Sequence, residues 1–286
     1  MKVYYECGPC FIRQAKEAMD LATDDNELKI NLIEDIFDFL ADNYTQNASS
    51  NKLGSVIHRM IKEKTNCSDP YSKEKVIGNK IALEFLPMIE KLLEEDNSLE
   101  NYIKIAIVGN ILDFGALGLD FNPQEFILSN LDKNLAINQI DQFKEAISNH
   151  KDVLFLVDNT GEIVFDKLLI EKLIELGLNV TVALKEKPIL NDACMEDAKS
   201  VGLDEIAKLT TIGTDSIGLI YDEASQEFKN LFDNSDFVIA KGLGNYEGLT
   251  ETNLEGKDVF SLLCVKCSAV SKDIGIGERE NILLKL

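Results

Sequence analysis

Hydrophobic spacing divides the chain into two textures. Between Gly8 and about Asn97 the apolar residues recur at helical intervals. Leu28, Ile30, Leu32, Ile33, Ile36, Phe37, Phe39 and Leu40 fall mostly on one side of a segment running over 27–44. A first helix opens at Pro9, a residue suited to an initial turn, and carries Phe11, Ala15, Ala18 and Met19. A further helical pattern over 73–95 is rich in Ile, Leu, Glu and Lys, and the polar stretch 94–101 closes the region. After about Asp152 short β-branched runs alternate with helical patterns. The spacing predicts strands at 153–157, 179–183, 209–212, 237–240 and 259–264, with helices at 163–176, 192–201 and 223–232 between them. This alternation predicts an α/β fold with a mostly parallel sheet over residues 101–286, beside an all-helical N-terminal region over 1–100.

In such sheets ligands bind in the crevice outside the carboxyl ends of the strands. The first predicted strand runs straight into Asp158-Asn159-Thr160-Gly161-Glu162 with a helix behind it. Asp158 and Asn159 offer the hard oxygens that Mg²⁺ or Mn²⁺ prefers, and Thr160 and Gly161 offer backbone N–H groups suited to a phosphate. The same residues also suit a plain helix cap. The second strand leads through Lys185-Glu186-Lys187-Pro188-Ile189-Leu190-Asn191 to Asp192, which is again placed either to cap a helix or to contribute a ligand. One carboxylate from each loop would clamp a single cation and leave positions open for water and a phosphoryl oxygen. The fourth strand ends at Lys241, either a solvent-exposed loop lysine or a cation in the same crevice. Its glycines do not make a dinucleotide loop, because the segment 249–257 is polar and lacks a helix-length apolar stripe.

Charge changes the picture of possible partners. The 286 residues carry a formal charge of −21 with no basic patch, which argues against nucleic acid and anionic membrane. An anionic substrate then needs positive charge supplied locally, by a bound cation, a lysine or oriented N–H groups. At 45% apolar and 28% charged residues the chain reads as globular. Its opening residues have no apolar signal region, and the longest apolar run, 103–119, is interrupted by Asn110 and Asp113, so a cytoplasmic protein is expected.

Taken in order, DNTGE at Asp158, KEKPILNDA ending at Ala193, KGLGNYE beginning at Lys241, GNILDFG from Gly109 to Gly115 and DPY at Asp69 to Tyr71 resemble the metal-dependent damage-control phosphatases, a family formerly catalogued as a domain of unknown function. The similarity runs along essentially the whole chain. It implies a helical N-terminal part joined to a three-layer α/β/α core, with a divalent cation (Mn, Mg, Co or Ni) held by Asp158, Asn159 and Asp192. It also implies Lys241 against the phosphate. The expected reaction is hydrolysis of a small phosphorylated metabolite, such as a sugar phosphate, by water activated at the cation. Thr160, Gly161, Glu162 and Asn245 are expected around water or substrate. Thr160 stands where a phospho-aspartyl phosphatase has its second Asp, which counts against such an intermediate.

Other residues leave other readings open. Cys7-Gly8-Pro9-Cys10 and Cys264-Val265-Lys266-Cys267 have spacings that could share a thiolate site for zinc or iron, with buried or redox-active thiols as the alternative. The paired cysteines suggest the microbial branch of the family. With only His58 and His150 a histidine-rich binuclear site is excluded; His58 reads as a helix-surface residue or one reaching the crevice. Asn110 and Asp113, one helical turn apart, suit active-site contact or buried support equally. Rival functions are an S-adenosylmethionine-dependent carboxyl methyltransferase and a noncatalytic metabolite-binding or redox-sensing protein.

Overall fold

The computed structural model describes residues 1–111 and 123–286. The helical region comprises α1 (Cys7–Ala22), α2 (Asn26–Asn43), α3 (Ser50–Thr65) and α4 (Ser72–Glu95). The predicted helical periodicity is physically cashed here: Phe11, Ala15, Leu32, Ile36, Ile57 and Ile61 meet in one apolar cluster between α1, α2 and α3. Asp25 caps α2 by accepting from the N–H groups of Glu27 and Leu28. Then follow α5 (Leu99–Ile111), α6 (Pro123–Leu131), β1 (Ile137–Asn138), α7 (Ile140–Asn149), β2 (Asp152–Leu156), α8 (Glu162–Glu175), β3 (Asn179–Leu184), α9 (Met195–Ser200) and β4 (Lys208–Thr211). After a short 3₁₀ turn come α10 (Gln226–Asp233), β5 (Phe237–Lys241), α11 (Gly242–Leu249), β6 (Asp258–Cys264), α12 (Ser268–Ile274) and β7 (Asn281–Lys285).

Seven described strands form one sheet in the order β1-β7-β6-β5-β2-β3-β4, parallel except where β7 runs against β6. Period-two alternation sends Val153, Phe155 and Val157 into the core shared with α5 and α8, while Leu154 and Leu156 pack with Phe228, Phe232 and Leu249 on the opposite face. Helices therefore cover both faces, as the three-layer expectation required. Each fully buried Phe or Ile of these layers contributes about 1.5–3 kcal/mol through removal from water.

The five strands legible in the sequence occur within a residue or two of their expected positions. The short β1 and terminal β7 were not expected, because two residues give no period and β7 is an antiparallel addition to the edge of β6. The stretch after Lys241, to which the sequence pattern assigned no element, is helix α11. Gly242, at φ 78°, turns the chain directly from strand into helix.

Among the described residues no helix is long and apolar enough to cross a membrane.

Candidate active site

β2, β3 and β5 are parallel neighbours, and their registers bring Leu156 level with Ala183 on one side and Ala240 on the other. Chain order along the sheet reverses between β5 and β2, the switch point at which parallel sheets open a ligand crevice. The loops leaving β2 and β3 are stitched to each other there. Asn159 and Asp192 form an antiparallel bridge, Ala193 donates its N–H to the Asp158 carbonyl at 2.8 Å, and the Thr160 N–H donates to the Asn191 carbonyl at 2.9 Å. From β5, Gly242 closes against the same point: a Cβ there would lie 1.9 Å from Oδ2 of Asp158. The backbone thus packs a bare glycine against one carboxylate and holds the second beside it.

Both carboxylates are almost fully buried. Burial, then the charges of Asp192 and Glu162, hold the Asp158 carboxyl well above the usual range, against the opposing pull of Lys266 and Lys185. Burial likewise pushes Asp192 up to about 6, with Lys185 drawing it down. Oδ2 of Asp192 has no hydrogen-bond partner; the Lys185 ammonium, 3.4 Å away, meets it as a charge while donating to the Gly218 carbonyl at 2.7 Å. The Asn159 amide turns its Nδ2 toward Asp158 at 2.8 Å and Glu162 at 3.3 Å, and a half-turn of that amide presents Oδ1 instead. Among the described residues no three His, Cys, Asp or Glu side chains stand ready around a metal ion. The donor set here is different: two desolvated carboxylates, one with an orphaned oxygen, and a neighbouring amide. Such hard oxygens fit a small divalent cation, whose charge would relieve their mutual repulsion.

These groups open onto a cavity of about 690 Å³ that Asp158, Asn159 and Asp192 line together with α1 and the segment around Lys266. The residues expected against the phosphate are placed differently. Lys241 is fully buried; its ammonium ion-pairs with Glu162 and, at 2.7 Å, with Asp166, and donates to the Ala106 carbonyl at 2.8 Å. It therefore lies under the start of α8, away from the cavity, because two carboxylates one helical turn apart on α8 compensate its charge there. Glu162 passes that support on to the Asn159 amide rather than facing solvent. The N–H groups of Thr160 and Gly161 are also engaged, the latter by Oδ1 of Asn79 at 2.6 Å, so neither is available to a phosphate. Asn245 is buried and donates to the carbonyls of Val157 and Lys241 at 3.0 and 2.9 Å, tying the ends of β2 and β5 together.

The cations on the cavity wall are Lys266 and Arg13, neither singled out from the sequence. Lys266 sits between Cys264 and Cys267, and the thiol spacing drew the eye past it; a lysine just beyond a buried parallel strand was the available signal. Asp166 and Asn79 were likewise missed, since their partners Lys241 and Gly161 are remote in sequence, and Lys185 was passed over although Asp192 is in the same loop.

The four cysteines do not gather. Cys264 is buried in β6 within the apolar core, whereas Cys7, Cys10 and Cys267 line the cavity. Cys264, the last residue of β6, points into the core, while Cys267 lies beyond the strand as the N-cap of α12, so the shared four-thiol site is not formed. Burial pushes the Cys7 and Cys267 thiols up, opposite to the shift an activated thiolate requires. His58 is neither on the surface nor in the cavity: it is buried in α3 with Nε2 lacking a hydrogen-bond partner, and burial next to Lys62 pushes it down to about 4. His150 stacks on Phe237 and meets Asp258 at 2.8 Å, remote from the strand carboxyl ends. Gly109 lies in α5, where a Cβ would meet the Phe165 side chain at 2.7 Å; the side chains of Asn110 and Ile111, and residues 112–115 of the GNILDFG motif, Asp113 among them, lie outside the described residues.

Comparison with known proteins places this architecture. Residues 3–282 match the model of the damage-control phosphatase ARMT1-like domain. An uncharacterized protein of Methanocaldococcus jannaschii is 38% identical over 100% of this chain and 96% of its own length. A damage-control phosphatase of Archaeoglobus fulgidus is 32% identical over 97% of this chain and 96% of its own. The crystal structure of a DUF89 family protein from Pyrococcus horikoshii superposes with a TM-score of 0.90 at 31% identity, covering 100% of this chain and 99% of that one. The chain belongs to the damage-control phosphatase family.

Proposed function

We propose that this protein hydrolyses small phosphorylated metabolites, sugar phosphates or related damaged compounds, in a reaction that depends on a divalent cation at Asp158, Asn159 and Asp192. The observation carrying this reading is the juxtaposition of those three side chains, drawn from two loops, on the floor of a cavity whose wall supplies Lys266. When bound, Mn²⁺, Mg²⁺, Co²⁺ or Ni²⁺ supplies Lewis-acid polarisation of the phosphoryl group and a lowered pKa for water. The chain's own residues do the rest. Lys266 neutralises charge on the phosphoryl oxygens across the cavity, and Arg13, ion-paired with Glu17 at 2.8 Å, is the second cation lining it. Lys185, beneath Asp192, favours the ionised form of both carboxylates. The Lys241–Glu162 pair steadies the Asn159 amide from below.

A carboxyl methyltransferase is not favoured by the phosphatase names of the curated relatives. The redox-sensor alternative finds no support in thiols that burial keeps protonated. The test is hydrolysis of p-nitrophenyl phosphate with each of the four metals, followed by a screen of phosphorylated metabolites. Turnover is expected only with metal present, and Asp158→Ala is expected to abolish it. Full activity in EDTA, or in the Asp158→Ala protein, would overturn the reading.

A further inference from the structure

Helix α4 packs through Ala82, Ile89 and Leu93 into the core shared with α5 and α8, and two of its polar side chains are buried against the site. Lys75 is 4% exposed and Asn79 6% exposed. They stand one helical turn apart, and so project from the same face of α4. Asn79 reaches the loop that carries Asp158 directly, and Lys75 reaches the end of the loop that carries Asp192 through Asp197 in the first turn of α9.

Oδ1 of Asn79 accepts the Gly161 N–H at 2.6 Å. Gly161 opens α8 with φ 77° and has no side chain with which to cap it, so one of the unsatisfied N–H groups of that helix start is capped from another helix. The bond fixes the far end of the loop that begins at Asp158. The other half of the same amide donates to Oγ of Ser200 at 3.2 Å, and that hydroxyl donates to the Asp197 carbonyl at 2.7 Å. Lys75 reaches the second loop. Its ammonium meets Oδ2 of Asp197 at 2.7 Å and Oδ2 of Asp69 at 3.4 Å. Asp197 Oδ2 in turn accepts the Cys194 N–H at 2.9 Å, two residues after Asp192. Asp69, the first residue of the DPY motif, also accepts the Tyr71 N–H at 3.2 Å, so the motif sets the start of α4 and the anchor of Lys75 together.

We propose that Asn79 and Lys75 are positioning residues: α4 clamps the Asp158 loop and the Asp192 loop at a fixed separation, and thereby sets the affinity for the divalent cation. The metal-affinity part of this inference rests on the function proposed above; the clamp itself does not. The Asn159–Asp192 bridge joins the loops to each other, and Lys62 on α3 holds the Asp192 loop at its near end by donating to the Pro188 carbonyl at 2.6 Å. The α4 contacts hold the opposite ends, at Gly161 and Cys194, where the loops pass into α8 and α9. Groups that orient metal ligands from behind typically change affinity by about 10- to 100-fold when removed.

The experiment uses the full chain and Mn²⁺ alone as the probe, with free Mn²⁺ followed by electron paramagnetic resonance. Asn79→Leu keeps the size and removes the acceptor; Asn79→Asp keeps the acceptor; Lys75→Met removes the second anchor. Asn79→Leu and Lys75→Met are each expected to weaken Mn²⁺ binding by at least about tenfold, while Asn79→Asp stays within about threefold of the wild type. Hydrogen–deuterium exchange on the metal-free proteins gives the independent readout. Peptides spanning 157–163 are expected to exchange faster in Asn79→Leu, and those spanning 191–198 faster in Lys75→Met, with distant strands unchanged. A folded Asn79→Leu protein with wild-type exchange over 157–163 overturns the clamp. If the wild type binds no Mn²⁺, the cation reading fails while the exchange result still decides the clamp; should Asn79→Leu fail to fold, Lys75→Met decides it in the same way.

Discussion

At the scale of single residues the polar interior is where the chemistry and the costs are concentrated. His58 shows this without any functional role. It is buried on α3, its Nε2 has no partner, and it is pushed down to about 4 by burial and by Lys62. The unfolded chain takes up a proton near pH 6.5 while the folded chain refuses it until about pH 4, so acidification through that window favours unfolding. The buried carboxylates Asp166, pushed up to about 7, and Asp192 act in the opposite sense, since the folded state binds their protons first. Comparison with His58→Gln isolates the histidine. Relative to that variant, the metal-free wild type is expected to lose on the order of 2–3 kcal/mol between pH 7 and pH 4.5 in urea titrations. Parallel pH profiles for the two proteins would remove His58 from the account. The same scale explains what the sequence concealed. Asp158 was legible because it follows β2 almost directly, and Asp192 because it closes the loop that leaves β3. The destination of Lys241 was not, because whether a strand-end lysine turns to the crevice or under the sheet depends on partners 75 and 79 residues away, Asp166 and Glu162.

At the scale of elements, the site depends on how strands pass into helices. β5 enters α11 through Gly242, and the turn demands two things at once: a positive φ and no side chain against Asp158. Gly256 separates these requirements, since it has nearly the same φ, 79°, but nothing within 4 Å of the position a Cβ would take. Gly256→Ala is therefore expected to cost only the conformational strain, about 1 kcal/mol, and to leave turnover intact. Gly242→Ala must also displace Asp158. It is expected to cost about 2 kcal/mol more in thermal unfolding and to reduce kcat at least about tenfold. Equal behaviour of the two variants would mean that Asp158 can move aside without consequence. Long elements were the legible ones, as α2 and α4 show, because apolar residues repeated over many turns leave a single solution for the buried face. α11 was not legible: eight residues containing three glycines carry little helix propensity, and the segment is held in helical form by packing against β6 and α3.

At the scale of the whole molecule, the helical region and the sheet build one crevice between them. α1 contributes Cys7, Cys10 and Arg13 to its wall and α3 contributes Ser50 and Asn51, facing the loops from β2 and β3. The charge of the chain converges on the same place. Among the described residues the cavity carries Glu6, Asp158, Asp192, Glu247 and Glu278 against Arg13 and Lys266. A bound divalent cation offsets the two aspartates but leaves the approach acidic, within a molecule of formal charge −21. An anionic substrate is therefore repelled at long range and attracted only at contact, the reverse of electrostatic steering. The two ranges respond differently to salt, since the Debye length falls from about 20 Å at 0.02 M to about 6 Å at 0.3 M, while the buried contacts are screened much less. Raising NaCl over that interval at saturating Mn²⁺ is accordingly expected to lower KM for p-nitrophenyl phosphate by about two- to fivefold, with kcat nearly constant. A KM that rises with salt would mean that Lys266 and Arg13 already dominate the approach. The size of the effect then reports directly on the wall: Glu278→Gln, which removes one acidic group from it, is expected to reduce both KM at low salt and its dependence on salt.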